Sequence, residues 1–162
     1  MVDDSGFVKD GKASPFVAHQ YSGTLGKTGN CQIGVSVQMV TDSASLGANW
    51  RLFCPPSWDD NKIDDAETAE QVSARRARAG IPDKVRHREK RRLALDMLDQ
   101  MLAPPTSGST DGSAGGWGLP TRPVIGDSGY GDATSSGWDS PHADWSTSYR
   151  SSASPSHGNH SC

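Results

Sequence analysis

The chain has 162 residues, of which 33% are hydrophobic, and a net charge of −3. This length suits one domain. The apolar content is below the roughly 45–50% of typical globular chains, a figure that counts glycine as well, so we expect only a small core. We find no leader pattern and no apolar run near the length of a membrane span, so we expect no membrane partner.

The three cysteines, Cys31, Cys54 and Cys162, are odd in number and form no CxxC pair. This pattern favours a reducing compartment over a disulfide framework, and we expect a cytoplasmic protein. Cys31 and Cys54 lie in apolar runs and are interpreted as small core residues.

The start "MVDDSGF" is typical of a chain that begins inside a strand, and residues 5–29 read as turns between short extended pieces. In residues 31–40, apolar side chains alternate with small and polar ones, which predicts a strand with one buried face. A second alternating run at 49–54 follows a short turn. We therefore predict an antiparallel hairpin that ends at Pro55-Pro56.

Two helices are predicted next. The first covers 64–79, with Asp64 as its cap, Glu67 at the capping-box offset and Gly80 at its close. The second runs from Lys84 to Ala103 and presents one apolar face, formed by Ala94, Met97, Leu98, Met101 and Leu102.

Basic residues concentrate around these helices. Nine of the sixteen Lys and Arg residues lie between positions 75 and 92. Such a run either contacts DNA phosphates by charge or forms an ordinary solvated face. The candidate DNA-binding residues are Arg75, Arg76, Arg78, Lys84, Arg86, Arg88, Lys90, Arg91 and Arg92.

The last third is rich in Gly and Ser. Residues 104–116 are predicted to be a flexible connector, since such a composition buries too little to stay ordered. A short strand, Pro123–Gly126, then ends at Asp127. The tail 135–162 has no usable periodicity, and we predict that it is disordered.

The predicted order places an acid on the first strand piece and another at the end of the last. A rigid strand end can hold a carboxylate, and two carboxylates on neighbouring strands can share a divalent cation. Carboxylate oxygens suit Mg²⁺ or Mn²⁺, and two-metal sites support in-line phosphoryl displacement.

Several segments, taken in order, resemble the DDE superfamily transposases of bacterial insertion sequences. They are "DDSGFVKDGKASP", "QYSGTLGKTGNCQIGVSV", "WRLFCPPSWDD", "RRARAGIPDKVRHREK", "LALDML" and "RPVIGDSGYGD". The resemblance covers residues 2–134 apart from the connector. It implies an α/β fold with a partial RNase H-like arrangement, a mixed sheet with flanking helices. The implied activity is DNA cutting and joining with three acids and two Mg²⁺ or Mn²⁺ ions.

Carried onto this chain, the resemblance makes Asp3 the first metal ligand, with Asp4 as the alternative, and Asp127 the second. Asp132 in the same motif is interpreted as loop support. The third acid of the family, a downstream glutamate, has no counterpart, because Glu67, Glu70 and Glu89 all precede Asp127.

Other departures from the family favour a fragment. The connector is longer than expected, and most of the first strand should precede Val2. A permitted codon choice for the tail, read two bases on, encodes a family-like helix and strand, so we expect a frameshift near Thr134. The predicted function is an inactive remnant of a transposase catalytic domain over residues 1–134, followed by an out-of-frame tail. The alternative is a non-enzymatic fragment that binds DNA or a transposase. The partner implied for the intact family is DNA at transposon ends, and this chain could also associate with itself or with full-length transposase.

Two weaker patterns are set aside. Lys27 in "GTLGKTGN" lacks the spacing of a phosphate-binding loop. The tract with His157, His160 and Cys162 could bind a metal, but accidental composition of the tail is the preferred interpretation.

Overall fold

One sheet organises the chain, with its longest strand at the centre. The computed structural model describes residues 1–105, 115–126 and 130, and its strands are β1 (Val2–Val8), β2 (Ala18–Ser22), β3 (Lys27–Val40) and β4 (Ser45–Leu52). β4 pairs antiparallel with one side of β3. β1 pairs antiparallel with the other side of β3, and β2 pairs antiparallel with the amino-terminal part of β3 on the same side as β4.

The predicted alternation of β3 is confirmed. Cys31, Ile33, Val35 and Val37 are all buried on one face of the sheet. The helix α2 (Lys90–Leu102) covers this face, and its residues Ala94, Met97, Leu98 and Met101 pack in one cluster with Val2, Val35 and Val37. The hairpin of β3 with β4 is confirmed as well, although β4 begins at Ser45 rather than at position 49.

The first predicted helix is confirmed as α1 (Ala66–Arg78), but its cap is Asp65 and not Asp64. The Asp65 carboxylate accepts the Thr68 backbone N–H at 2.8 Å, which fills one of the unpaired donors of the first turn. Gly80 follows the helix with a φ of 65°, a conformation that glycine adopts without steric cost.

The second helix is shorter than predicted, because residues 84–89 are not helical. In this stretch the backbone groups bond across the fold instead of along a helix. The Val85 carbonyl accepts from Arg76 at 2.6 Å, and the His87 N–H donates to Asp59 at 2.8 Å. These tertiary hydrogen bonds override a favourable helical composition.

The predicted strand Pro123–Gly126 is reduced to a single parallel bridge between Gly126 and Val2. Leu119 and its neighbours instead bond to the carboxyl end of α2. Over its described residues, the molecule is thus an α/β protein with a mixed, mainly antiparallel sheet and two α-helices, consistent with a partial RNase H-like fold. Neither helix in the described part is long and apolar enough to span a membrane. Most of the predicted connector and the predicted disordered tail lie outside the described residues.

Candidate active site

The two neighbouring aspartates of β1 lie on opposite faces of the sheet. Asp3 pairs with Ser36 and Asp4 with Val35 in the β1–β3 register. Val35 belongs to the core under α2, so Asp4 shares the face that α2 covers. Because side chains alternate along a strand, Asp3 faces the other side.

The carboxylate of Asp4 is engaged by α2. Its Oδ2 lies 2.5 Å from Nζ of Lys90, the first residue of the helix. The Lys90 ammonium also lies 5.7 Å from the ring centroid of the buried Phe53. Asp4 is therefore neutralised by a partner that comes from a distant part of the chain.

The carboxylate of Asp3 has different surroundings. The Asp3 Oδ1 accepts the Asp4 backbone N–H at 2.8 Å. The backbone carbonyl oxygen of Asp3 accepts the Ser36 hydroxyl at 3.3 Å. Within the described ranges no basic side chain forms an ion pair with it. Asp3 thus keeps a partly exposed carboxylate on a strand that β3 holds rigidly.

The segment that leads to Asp127 runs beside the start of β1. The Val2 N–H donates to the Ile125 carbonyl at 2.7 Å, and Gly126 forms its parallel bridge with Val2. Tyr130 is buried in the same cluster as Val2. The chain before and after residues 127–129 therefore lies next to the residue that precedes Asp3. Asp127 itself lies outside the described residues, as does Asp132.

The predicted DNA-binding residues occupy several environments, and Arg76 is buried, with 3% of its surface exposed. Its guanidinium donates to the carbonyl oxygens of Trp58 at 2.7 Å and Val85 at 2.6 Å, and it lies 3.3 Å from the Asp60 carboxylate. The prediction that Arg76 contacts DNA is corrected, because a guanidinium committed to these interior acceptors cannot reach a phosphate.

Two other arginines of the set bind the protein itself. The Arg75 guanidinium stacks 3.9 Å from the ring centroid of the buried Trp58, and it donates to the Ser57 carbonyl at 2.6 Å. Arg86 pairs with both carboxylates of the Asp59–Asp60 doublet, at 3.3 and 2.7 Å. These contacts hold the chain after α1 against the segment before it.

Asp59 is the buried centre of this network and was missed by sequence reasoning. Burial by itself would raise the pKa of Asp59. Hydrogen bonds from the backbone N–H groups of His87 and Asn61, together with Arg86, outweigh burial and hold the pKa below its ordinary value. No periodicity or spacing in "SWDDN" separates this doublet from an exposed one, since Arg86 and His87 lie 27 and 28 positions from Asp59.

The rest of the basic set is nearer to solvent. Arg78 and Lys84 are exposed. Arg88 pairs with Asp96 at 2.9 Å with half of its side chain exposed, and Arg91 pairs with Glu89 at 2.6 Å. Arg92 is half-buried. The basic run is therefore not one continuous cationic face.

The family model for the DDE superfamily endonucleases matches residues 1–153. The chain belongs to this family. The match extends past residue 134, where the resemblance noted from sequence motifs ends. Comparisons with curated proteins and with solved structures give no match.

Membership of the DDE endonucleases supports a nuclease- or transposase-type function with DNA as the substrate. Enzymes of this superfamily generally use divalent metals. In the part of this DDE protein that the structure describes, no three His, Cys, Asp or Glu side chains come together as a metal site. Asp3 fits as one hard oxygen ligand for such a cation, since its carboxylate is partly exposed and free of a basic partner there.

Proposed function

We propose that this chain carries the first two carboxylates of an insertion-sequence transposase site, with Asp3 and Asp127 as ligands of Mg²⁺ or Mn²⁺. The supporting observation is the parallel contact of Gly126 with Val2. Asp127 follows Gly126 as Asp3 follows Val2, and consecutive Cα atoms lie about 3.8 Å apart. Paired backbones lie about 4.8 Å apart, so the segment that leads to Asp127 comes beside Val2, the residue before Asp3.

The reaction of the intact enzymes is cleavage and transfer of a DNA strand. Two bound metals would supply activation of the attacking water or 3′-hydroxyl and neutralisation of the leaving oxygen. The role of this chain is to present Asp3 on β1, which is hydrogen-bonded along its length to β3. A ligand on such a strand loses little freedom on binding a cation.

The chain by itself is proposed to be inactive. The family resemblance implies a glutamate as the third acid, after the second, and all three glutamates of this sequence precede Asp127. Glu67 and Glu70 are exposed on α1, and Glu89 pairs with Arg91. Two carboxylates are then left to hold the cations, and we expect weak metal binding without strand cleavage.

The test combines Mn²⁺ binding, followed by electron paramagnetic resonance, with nicking of supercoiled DNA. The full chain should bind Mn²⁺ weakly, D3A and D127A should lose that binding, and none should nick. D10A is the matched control, because Asp10 is an exposed acid just after β1. Nicking by the unaltered chain that D127A abolishes would contradict the proposed inactivity. Equal Mn²⁺ binding in all variants would contradict the ligand assignment.

A second candidate function is DNA binding without cleavage, favoured by the exposed cations Arg78, Lys84 and Arg88. Phosphate contacts of this kind weaken steeply as salt rises. Fluorescence anisotropy with duplex DNA should show reduced affinity for the R78Q/K84Q variant. The K12Q variant removes an exposed lysine that is distant in sequence from the basic run, and it should bind DNA as the unaltered chain does. Identical DNA affinities for the unaltered chain, R78Q/K84Q and K12Q would exclude Arg78 and Lys84 as a DNA-binding surface.

A cytoplasmic location is part of the proposal. Cys31 and Cys54 are both buried and unpaired with each other. Burial raises the pKa of both thiols, so they remain protonated and pack as small apolar side chains. Neither supplies a disulfide that an oxidising compartment would favour.

A further inference from the structure

One edge of β4 is open. In the part of the chain that the structure describes, β4 pairs only with β3. Along an antiparallel pair, successive residues turn their N–H and C=O groups alternately toward the partner strand and away from it. The Phe53 N–H donates to the Ile33 carbonyl on β3 at 2.8 Å. Counting back in twos, Arg51 and Asn49 also face β3, so the backbone groups of Trp50 between them face the open edge.

An open edge of this kind is a template for pairing with another chain. The side chains of β4 favour such pairing, because Leu46, Trp50 and Leu52 are 66%, 46% and 41% exposed. Arg51 is the one charged residue in the strand Ser45–Leu52. Apart from this arginine, β4 has the composition of a strand that pairs readily with others.

Both outward backbone groups of Trp50 are already hydrogen-bonded, and their partners are the side chains on either side of it. The Trp50 N–H donates to Oδ1 of Asn49 at 2.9 Å. The Trp50 carbonyl accepts from Nη1 of Arg51 at 3.1 Å. A strand that approached this edge would have to displace both side chains before it could bond to Trp50.

Gln100 of α2 holds these two side chains in place. Its Oε1 accepts from Nδ2 of Asn49 at 3.2 Å and from Nη2 of Arg51 at 2.6 Å. Nη1 of Arg51 also donates to Oδ1 of Asn49 at 3.0 Å. A guanidinium group can only donate, so its bonds fix which end of each amide is the oxygen. Asn49 is buried, and its side chain therefore has little freedom to leave the Trp50 N–H.

A β-bulge limits the open edge next to this network. Val37 pairs with Asn49 and Gln38 with Gly47, so Ala48 is an extra residue in β4. A bulge bends its strand and interrupts regular pairing. The regular edge beyond the bulge is short, and one capped residue covers most of it.

We propose that Asn49, Arg51 and Gln100 form a cap that prevents β4 from pairing with the β4 strand of a second copy of this chain. Two copies of one strand pair antiparallel about a twofold axis and present the same surface to each other. Such a pair needs the Trp50 groups that the cap occupies. It would also bring two Arg51 guanidinium groups near each other, and like charges across paired strands are destabilising. The cap is independent of the proposed metal site.

Sedimentation velocity over a range of protein concentrations measures self-association of the full chain and its variants. R51L removes the charge and the donor to the Trp50 carbonyl, and it should strengthen self-association at least about tenfold. R51K keeps the charge and a donor and should behave as the unaltered chain does. R78L makes the same chemical change at an exposed position of α1 and should leave self-association unchanged.

A second pair of variants locates the association. Leu52 precedes Phe53, so its N–H faces away from β3. L52P therefore removes a donor at the open edge without breaking the ladder with β3. R51L/L52P should return to the self-association of the unaltered chain. R51L/L52A loses the same side chain but keeps the N–H, and it should associate as R51L does.

Urea midpoints and hydrogen exchange separate folding from association. Each variant should keep a cooperative urea transition, and the Leu52 amide should exchange more slowly in associated R51L than in dilute R51L. Equal self-association of R51L and the unaltered chain would overturn the proposal, as would an equal gain in R78L. Association of R51L/L52P as strong as that of R51L/L52A would also overturn it. If R51L/L52P does not fold, the Leu52 amide decides: slower exchange on association supports the proposal, and unchanged exchange overturns it.

Discussion

The aspartate doublets Asp3–Asp4 and Asp59–Asp60 have the same composition and opposite surroundings. Around Asp59–Asp60, two guanidinium groups and two backbone N–H groups engage both carboxylates. Around Asp3–Asp4, Lys90 engages Asp4, and the Asp3 carboxylate accepts a hydrogen bond from the neighbouring backbone N–H. The fold engages both acids of the Asp59–Asp60 doublet, whereas in the Asp3–Asp4 doublet it leaves the Asp3 carboxylate without an ion pair in the described part of the chain.

The difference comes from backbone conformation and from the supply of cations. Asp59 joins two consecutive turns, Pro56–Trp58 and Asp60–Lys62, and Asp60 begins the second, so that both side chains reach Arg86. Asp3 and Asp4 lie in a strand, so a cation on one face can satisfy only one of them. A doublet in a strand beneath one helix therefore separates a structural acid from a candidate ligand.

Removing the Arg76 guanidinium from the Asp59–Asp60 network should have the largest effect on the unfolding free energy. R76M leaves the Asp60 carboxylate and the carbonyl oxygens of Trp58 and Val85 without their buried partner. Breaking a buried pair in this way costs about 3–5 kcal/mol of unfolding free energy. Urea denaturation followed by tryptophan fluorescence measures the loss.

R78M is the matched control for R76M, since Arg78 is exposed two residues later on α1. Its effect should stay within about 0.5 kcal/mol, as for most surface substitutions. A loss as large in R78M as in R76M would mean that the buried network is not what stabilises this region.

Asp59 should make the stability of the chain sensitive to acid. Its pKa in the folded state lies below its ordinary value, so its stabilising contribution is complete above the unfolded pKa of about 3.9 and is lost as pH falls through the folded pKa. D59N should lower stability at pH 7 by about 2 kcal/mol, through the loss of hydrogen bonds to a charged acceptor. It should also flatten the acid limb of a plot of unfolding free energy against pH.

The comparison for D59N is D64N, which removes an exposed acid from the same acidic stretch. D64N should retain the acid limb of the unaltered chain. Parallel acid limbs for the unaltered chain and D59N would show that Asp59 is not the group that couples stability to pH in this range.

A third doublet, Asp64–Asp65, tests the same principle at a helix end. D65A removes the acceptor of the Thr68 N–H and should cost about 1 kcal/mol, the usual value for an N-cap. D64A should have almost no effect on the unfolding free energy. If thermal unfolding shows the larger loss in D64A, the capping assignment is wrong.

The smallest effect on stability is expected for D3N. The amide oxygen can still accept the Asp4 N–H, and in the described part of the chain no ion pair is lost. The unfolding free energy should change by less than about 0.5 kcal/mol, while Mn²⁺ affinity falls as proposed above. A destabilisation comparable to that of D59N would indicate that Asp3 is a structural acid as well.

Patterns that repeat locally were predictable. The alternation in β3 depends on neighbours two residues apart, and the apolar face of α2 on neighbours three and four apart, so both followed from the sequence. The helix boundaries were less predictable from the sequence. Asp64 and Asp65 are chemically identical candidates for the cap, and the geometry of the preceding turn selects Asp65.

Long-range pairing explains the remaining differences. Residues 84–89 contain good helix formers, but Arg76 and Asp59 take their backbone groups for tertiary hydrogen bonds. The pairing of Arg75, Arg76 and Arg86 with groups of the protein itself likewise depends on the position of Trp58 and the Asp59–Asp60 doublet. A run of positive charge in a sequence carries no information about which cations have interior partners.

The sequence by itself determined the α/β class, the hairpin of β3 with β4, the core face of α2 and membership of the DDE endonucleases. These properties depend on local periodicity and on ordered motifs. Only the tertiary structure decided that Asp4 forms an ion pair with Lys90, that Asp3 faces the other side of the sheet and that Gly126 lies beside Val2. The physical reason is that an ion pair or a strand pairing forms between positions brought together by the whole fold, and separation along the chain does not specify it.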